Sequence, residues 1–252
     1  MTKFEQPISV KPKRRKLQNR LFDQVSRRAG KAIVDYNMLA NGDKVAIALS
    51  GGKDSFALLN ILRHRQAFIP VRFDLMAVCV DLGFPNFPTG SIERYLKKMG
   101  IAYHIERRDL YSKSYQSGLG CFWCSWNRRK ILFQTAQRLG CHKIALGHHL
   151  DDIIETLLLN MLFHAQIAAM RPIQELFNGK ITLIRPLAYE REDTLAKLVR
   201  IEDWPLLDSF HCPYGNRSQR MFVKMLIQQM EKKNPDAAVN IFRSLMNVNP
   251  GY

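Results

Sequence analysis

The sequence predicts an α/β fold with a five-stranded parallel sheet that carries helices on both faces. Short apolar segments of strand length alternate with longer segments of helical periodicity, which is typical of parallel sheets. The chain has 252 residues, 46% of them hydrophobic, which suffices for one well-buried domain. Polar motifs follow the predicted strands directly, at the sheet edge where ligands bind in such folds.

The predicted elements follow one another in a regular order. A polar, basic arm covers residues 1–16, and an amphipathic helix is predicted from Leu17 to about Met38. The predicted strands are KVAIALS, DLMAVCVDLG, AYHIERRDL, HKIALGHH and ITLIRPL. The helices between them are the segment from Asp54 through Arg63, SIERYLKKMG, SWNRRKILFQTAQRLG and LDDIIETLLLNMLFHA. We expect three parts, with the arm and first helix in 1–40, the α/β domain in 41–190 and a helical part in 191–252.

The charge balance favours a polyanionic partner. Lys and Arg number 38 against 22 Asp and Glu, which gives a net charge of +16 and a pI near 9.9. Such an excess suits RNA, DNA or a membrane surface. No strongly amphipathic basic helix and no apolar run of about 20 residues is present, so a membrane is the least suitable of the three. The N-terminus lacks the pattern of a secretory signal, and we expect a cytoplasmic protein.

The first strand runs into a glycine-rich loop, Ser50-Gly51-Gly52-Lys53-Asp54-Ser55, which opens a helix. The glycines allow a sharp turn and a close approach of the backbone to a ligand. Amide groups at the helix start attract an anion, to which the lysine and the two serines can also bind. The loop is not a Walker A motif, because Ile47 replaces its first glycine and Asp54 its serine or threonine.

SGGKDS resembles the loop of the PP-loop ATP pyrophosphatases. The resemblance implies that the loop binds the terminal phosphates of ATP, which is cleaved between the α and β phosphates while a substrate is adenylated. We expect the end of the second strand, around Val80, to contact the adenine and ribose. Cys79 there is expected to be a buried strand residue.

Five cysteines, an odd number in an apparently cytosolic chain, favour metal or redox chemistry over disulfides. Cys121 and Cys124 form a CxxC motif that we expect in a loop before a helix starting near Ser125. Cys212 lies far along the chain, whereas Cys141 is expected in the core. Two near thiolates and a distant one suit an iron–sulfur cluster or a zinc site, and the residues alone leave both open.

The segment Gly147-His148-His149-Leu150-Asp151-Asp152 lies at the end of the fourth strand and opens a helix. Either aspartate could cap that helix. One of them could instead hold the Mg²⁺ that accompanies ATP, because that ion prefers carboxylate oxygens. We expect catalytic roles for Asp54 and Asp151 and ATP contacts from Gly147, His148 and Asp152.

These motifs, in this order, resemble the tRNA 2-thiocytidine synthetase family. The resemblance runs from about Leu17 to the C-terminus and includes SGGKDS, CxxC before RRKILFQTAQRLG, KIALGHHLDDIIETLLLNML, IRPLAY, a later cysteine followed by SQR, and NVNP. It implies an ATP-dependent sulfur transfer to cytidine 32 of tRNA, with an iron–sulfur (4Fe–4S) cluster on Cys121, Cys124 and Cys212. It also implies ATP and Mg²⁺, tRNA as partner, a sulfur donor such as a cysteine desulfurase, and a homodimer.

Two residues depart from the family pattern. That pattern frequently has a basic residue where Leu150 stands and a further cysteine where Ser209 stands.

Other interpretations use the same loop. A tRNA lysidine synthetase would leave the three cysteines without a task, and a 2-thiouridine synthetase would usually carry additional CxxC pairs. A non-catalytic RNA-binding protein with structural ATP would release no pyrophosphate. Arg128, Arg129 and Lys130 could guide tRNA or form an ordinary solvated helix face.

Overall fold

The computed structural model describes residues 12–85, 87–111, 121–202, 204 and 219–249. These residues form a six-stranded sheet with helices on both sides. The strands are β1 (Asp43–Ala48), β2 (Phe73–Asp81), β3 (Ala102–Arg107), β4 (Lys143–Ala145), β5 (Ile173–Leu176) and β6 (Ile181–Ile184). The helices are α1 (Pro12–Asp35), α2 (Lys53–Arg65), α3 (Thr89–Lys98), α4 (Cys121–Arg138), α5 (Leu150–His164), α6 (Glu192–Glu202), α7 (Gln219–Lys233) and α8 (Ala237–Ser244).

The strand order is β3-β2-β1-β4-β6-β5, and every pairing except β5 with β6 is parallel. Because β1 lies between β2 and β4, the loops that follow β1 and β4 are neighbours. The order of the strands changes direction at β1, and such a switch point creates a crevice at the carboxyl edge of a sheet. Both polar motifs that follow β1 and β4 therefore lie at this crevice.

Strands β4 and β6 are shorter than the predicted segments HKIALGHH and ITLIRPL, and the structure differs from the sequence prediction in three further places. The sheet has a sixth strand, β5, which was not predicted and which pairs antiparallel with β6 through a turn that includes Asn178 and Gly179. Helix α1 already begins at Pro12, so residues 12–16 are helical and not part of an arm. Helix α4 begins at Cys121, so the CxxC motif occupies the first turn of the helix and not a loop before it.

The two faces of the sheet carry separate apolar clusters. One is formed by α1, α2, α3 and α6 packed on the strands, and its largest fully buried residues include Phe56, Leu59 and Ile92. The other lies under α4, with Leu132, Phe133 and Ala136 packed on β1, β2, β4 and β6. Burial on both faces explains why the central strands are almost continuously apolar. None of the helices in the described ranges is long and apolar enough to cross a bilayer.

A third cluster joins the C-terminal helices to the sheet domain. Ile153 and Ile154 of α5 pack against Val223 and Ile227 of α7 and against Phe242 of α8. Helix α7 is therefore held beside the N-terminal half of α5. This packing places α7 over the crevice.

Glu190, between β6 and α6, should make the stability of the protein depend on pH. Its side chain is fully buried, Arg28 lies 3.5 Å away, and its Oε1 has no hydrogen-bond partner among the described residues. Burial raises the pKa of this carboxyl to about 7, because the charge and the hydrogen bond of Arg28 offset only part of the effect of burial. Because the folded state holds the proton more tightly than the unfolded chain, stability is highest below about pH 4.5 and declines up to about pH 7.

We expect this group to reduce the free energy of unfolding by up to about 3 kcal/mol between pH 5 and pH 8. Urea unfolding of the wild type and of Glu190→Gln, at both pH values, measures the effect. The amide cannot ionise, so the variant should lose this part of the pH dependence. Equal pH dependence in both proteins would show that Glu190 does not titrate in this range.

Candidate active site

The loop after β1 has the conformation expected of an anion site. Gly51 has a φ of +86°, which favours glycine, and Gly52 precedes the first turn of α2. The hydroxyl of Ser55 donates to the carbonyl of Gly52 over 2.8 Å, while Ser50 Oγ accepts from the Gly52 amide over 3.3 Å. These bonds hold the two serines beside the start of α2, where the helix dipole attracts anions.

Lys53 is held at this site by two carboxylates. Its Nζ lies 3.1 Å from Asp54 Oδ2 and 3.0 Å from Glu192 Oε1, at the start of α6. Burial lowers the pKa of Lys53, but Asp54 and Glu192 raise it by more, so the ammonium stays charged. Glu192 also accepts a 2.5 Å bond from Lys224 of α7, and the two lysines hold its pKa down to about 2 despite its burial. Glu192 thus bridges two cations as an anionic ligand would.

Asp54 lies beneath the lysine with one oxygen unsatisfied. Its Oδ1 is buried and accepts no hydrogen bond within the described part of the chain. Burial raises its pKa, and the charges of Lys53 and His149 only partly offset this effect. A buried carboxylate oxygen without a partner is costly unless a ligand satisfies it. This oxygen is therefore a candidate ligand for a cation.

The loop after β4 touches the loop after β1 directly. A Cβ added to Gly147 would lie 2.9 Å from the carbonyl carbon of Asp54 and 3.1 Å from the Ser55 amide nitrogen. Close approach of the two backbones thus requires glycine at this position, whereas the ATP contact of Gly147 stays a prediction. The glycine fixes how near His149 and Asp152 can come to the phosphate loop.

We expect Gly147→Ala to be destabilising by about 1–3 kcal/mol, because backbone atoms would have to move to admit the methyl group. The shift should also weaken ATP binding. Thermal unfolding and equilibrium nucleotide binding measure the two effects. The matched control is Gly90→Ala, because a Cβ added there would lie 3.9 Å from the nearest other side chain, that of Arg94. Gly179→Ala would not serve, because the φ of +79° at that residue disfavours alanine. Equal nucleotide affinity in Gly147→Ala and the wild type would contradict the proposed close approach.

The two aspartates of the α5 N-terminus have different contacts. Asp152 Oδ2 accepts from the His149 amide over 3.0 Å, and its Oδ1 pairs with Arg220 of α7. Asp151 Oδ2 accepts from the Glu192 amide over 2.7 Å and its Oδ1 from Arg191 Nε over 3.0 Å. Asp152, the third residue of α5, thus binds the amide of the N-cap residue His149 and also faces the crevice, whereas Asp151 holds the start of α6. A catalytic role of Asp151 stays a prediction.

The adjacent histidines also differ. His149 is buried, and its Nε2 lies 3.4 Å from Asp152 Oδ2 and 3.9 Å from Asp54 Oδ2. Its Nδ1 has no hydrogen-bond partner among the described residues. His148 Nδ1 accepts from Arg185 Nε over 3.2 Å. Burial and the Arg185 charge lower the pKa of His148 to about 4, so it is neutral at neutral pH. Leu150 is buried in the apolar cluster of α5, which explains how an apolar residue is accommodated there.

Helix α7 supplies charged residues to which the sequence analysis assigned no role, although Arg220 ends the SQR motif. Arg220 Nε donates to Glu155 Oε2 over 2.6 Å, and Lys224 lies on the next turn beside Glu192. An open cleft of about 300 Å³ lies between α7 and the phosphate loop. It is lined by Lys53, Asp54, His149, Asp152, Glu155, Glu192, Arg220, Met221 and Lys224. The spacing of four residues places Arg220 and Lys224 on the same face of a helix, but only the tertiary packing shows that this face borders the phosphate loop.

At the carboxyl end of β2, the side chain of Val80 is buried. Asp81 accepts from the Gly83 amide over 3.0 Å and from the Thr89 hydroxyl over 3.1 Å. These bonds shape the turn after β2. The ATP contact of Val80 stays a prediction.

The cysteines fall into two groups. Cys79 and Cys141 are buried, and burial raises the pKa of both thiols, that of Cys79 to about 12, so neither suits a metal. Cys121 and Cys124 lie one turn apart at the start of α4, where a helix N-terminus favours thiolates. Crossover helices begin at the carboxyl edge of a parallel sheet, so this turn lies on the same side as the crevice. Cys212 and Ser209 lie outside the described residues.

A family model described as a PP-loop domain matches residues 21–206. The fold, the phosphate loop and this match define a PP-loop protein. Among curated proteins, the chain is 41% identical to the tRNA-cytidine(32) 2-sulfurtransferase of Marinobacter nauticus, over 98% of this chain and 83% of that protein. It is 42% identical to the protein of the same name from Paraburkholderia phytofirmans, over 93% of this chain and 71% of that protein. The chain belongs to the tRNA-cytidine(32) 2-sulfurtransferase family.

A solved structure gives the same fold. The U34-tRNA thiolase NcsA from Methanococcus maripaludis, solved with its 4Fe–4S cluster, superposes with a TM-score of 0.75 and 25% identity. The match covers 91% of this chain and 79% of that one. The predicted α/β fold with helices on both faces is confirmed, with six strands in place of five.

Proposed function

We propose that this protein uses ATP to activate a cytidine of tRNA, at position 32, and replaces the O2 oxygen of the base with sulfur. The observation that carries the proposal is the crevice itself, in which a PP-loop and the α5 N-terminus face the cations of α7. The names of the relatives, which share about two fifths of their residues with this chain, support the choice of cytidine.

The chemistry consists of two displacements. The O2 oxygen of cytidine attacks the α-phosphorus of ATP, an O–P bond forms, and pyrophosphate leaves. A sulfur atom at the oxidation level of sulfide then attacks C2 of the base, and the C2–O bond breaks. AMP leaves with the oxygen that belonged to the base, and a proton lost by the sulfur nucleophile balances the charge.

The phosphate loop holds the departing pyrophosphate. Amides of the α2 N-terminus, Lys53 and the two serine hydroxyls can bind phosphate oxygens. Phosphate oxygens would replace Glu192 as the partner of Lys53 and Lys224, since that carboxylate occupies the position of an anion between them. Arg220 adds a third cation on the α7 side. Fixed positive charge around the leaving group stabilises the transition state more than the same charge in water.

The carboxylates of the crevice suit a magnesium ion. Asp54 Oδ1 is buried and has no hydrogen-bond partner among the described residues, and Oδ2 of Asp54 and Oδ2 of Asp152 lie 3.9 Å and 3.4 Å from the same nitrogen, His149 Nε2. Magnesium usually takes one or two carboxylates together with substrate phosphates. We assign Asp54 and Asp152 to this ion, which would neutralise charge on the phosphates when it is bound.

The donor set at α4 fits an iron–sulfur cluster. Cys121 and Cys124 are one turn apart at a helix start with no acidic residue in the first turn, and we propose Cys212 as the third ligand. When bound by three thiolates, such a cluster supplies an open iron at which sulfur can be held. The chain itself contributes the thiolates, the dipole of α4 and the neighbouring Arg128 and Arg129.

The partners follow from the same reaction. tRNA is the substrate, and the net charge of +16 suits it. A cysteine desulfurase is the proposed source of sulfur, the chain is proposed to act as a homodimer, and we place the reaction in the cytoplasm.

The test is a reaction with anaerobically purified protein, tRNA, Mg-ATP and sulfide. We expect 2-thiocytidine at position 32, by mass spectrometry of nucleosides and fragments, with one AMP and one pyrophosphate for each base modified. A tRNA that carries uridine at position 32 is the matched control. Thiolation of that control at another uridine would favour a 2-thiouridine synthetase, and pyrophosphate release that requires lysine would favour lysidine synthesis.

A further inference from the structure

Trp126 lies exposed on α4, close to the end of the helix that faces the crevice. Its side chain is 53% exposed, which is unusual for the largest apolar residue, and it is two residues beyond Cys124. The ammonium of Lys130, one turn later, lies 5.4 Å from the centre of the indole ring. Exposed aromatic rings and basic side chains together bind unpaired nucleotides, because the ring stacks on the flat face of the base and the cation binds the backbone phosphate.

The charge around Trp126 is of one sign. Residues 110–150 contain no Asp or Glu. The same stretch contains six basic residues: Lys113, Arg128, Arg129, Lys130, Arg138 and Lys143. In the protein as a whole, acidic residues are more than half as frequent as basic ones, so such a stretch is not a consequence of overall composition. Arg129 and Lys130 are exposed, as a surface that binds phosphates requires.

This surface adjoins the crevice. The Arg129 charge acts on His148 and on Arg185, which lie at the carboxyl ends of β4 and β6. Arg128 acts in the same way on Cys79 at the end of β2. Helix α4 begins at the carboxyl edge of the sheet, where the crevice lies, and Trp126 is in its second turn, so the surface lies on the side of the crevice.

We propose that Trp126, Arg129 and Lys130 form an RNA-docking surface, in which the indole stacks on an unpaired base beside the cytidine to be modified and the two cations bind its backbone. The inference rests on the proposed function and adds the residues that position the RNA. Single-stranded loops are the part of an RNA that offers unstacked bases. The surface is thus a positioning surface and takes no part in the displacements themselves.

The test compares tRNA binding by the full-length, cluster-containing protein and its variants in an anaerobic filter-binding assay. Trp126→Ala should weaken tRNA affinity at least about tenfold, whereas Trp126→Phe, which keeps a ring, should stay within about threefold. Lys130→Ala should weaken it less and reduce its dependence on salt. Phe68→Ala is the matched control, since Phe68 is a 65% exposed aromatic residue beyond the C-terminus of α2, at the opposite edge of the sheet.

Circular dichroism and iron content should be unchanged in all four variants. If Trp126→Ala binds tRNA as the wild type does while thiolation by sulfide falls, Trp126 acts in the reaction after tRNA has bound, and the inference is wrong. If the wild type thiolates tRNA and Trp126→Ala does so equally well, the inference fails and the proposed function stands. A wild type that neither binds nor thiolates tRNA would overturn both.

Discussion

Cys121→Ser, Cys124→Ser and Cys212→Ser should each abolish tRNA thiolation, with activity reduced by about 1,000-fold or more. Each serine removes one thiolate from the proposed three-cysteine site, and serine oxygen is a poor ligand for iron. ATP binding should change by no more than about twofold, because the phosphate loop lies on other elements. Nucleoside mass spectrometry and iron and sulfide content of anaerobically purified protein measure the effects.

Cys141→Ala is the matched control for this series. Cys141 is buried, and burial raises the pKa of its thiol, so we expect full iron content and thiolation apart from a modest loss of stability. An active Cys212→Ser protein with a full complement of iron would remove Cys212 from the site. Loss of iron in Cys141→Ala would show that the ligands are wrongly assigned.

Lys53→Ala should reduce ATP cleavage by about 100- to 1,000-fold, in the range found when one fixed positive group is removed from a developing negative charge. The ammonium is held within 3.1 Å of both Asp54 and Glu192 and stays charged at neutral pH. We expect the loss mainly in kcat, since the serines and the backbone amides still bind ground-state ATP. Release of radioactive pyrophosphate in the presence of tRNA measures it.

Lys97→Ala provides a lysine control on the surface. Lys97 pairs with Glu93 on the exposed side of α3, and its removal should leave pyrophosphate release within about twofold of the wild-type rate.

Glu192→Gln tests the same site in the opposite direction. The uncharged amide competes less with phosphate for Lys53, so the KM for ATP should be lower than in the wild type. Pyrophosphate release by Lys53→Ala at the wild-type rate would mean that the Lys53 ammonium does not stabilise the transition state of ATP cleavage.

Much of the central fold could be predicted because its signals are local. Strands β1, β2 and β4 lie in mainly apolar runs bounded by turns, β3 is more polar, and the phosphate loop follows β1 as expected. Strand β5 was missed because IQEL is only partly buried and alternates weakly, although Asn178-Gly179 after it is a hairpin signal. The start of α4 was missed since cysteine and tryptophan are poor helix formers, and propensity yields to packing there.

The site could be predicted only on the side that its motifs describe. SGGKDS and GHHLDD lie together as expected, because the parallel order places β4 beside β1. Glu192 and Lys224 carry no motif, and Arg220 ends the SQR motif, to which no role at the site was assigned. Arg220 and Lys224 face the crevice because α7 packs on α5, and Glu192 is held there through the bond from its amide to Asp151. The same limit applies to Asp151 and Asp152, whose adjacent carboxylates point to different helices for reasons of three-dimensional packing.

The most direct test of the proposed mechanism follows the O2 oxygen of the cytidine, which leaves with AMP only if the base is adenylated. In tRNA labelled with ¹⁸O at O2 of cytidine 32, thiolation should transfer the label to the phosphate of AMP, where mass spectrometry detects it. The amount of labelled AMP should equal the amount of 2-thiocytidine formed. Label found in water, with unlabelled AMP, would mean that sulfur enters without adenylation of the base and would contradict the function proposed for this crevice.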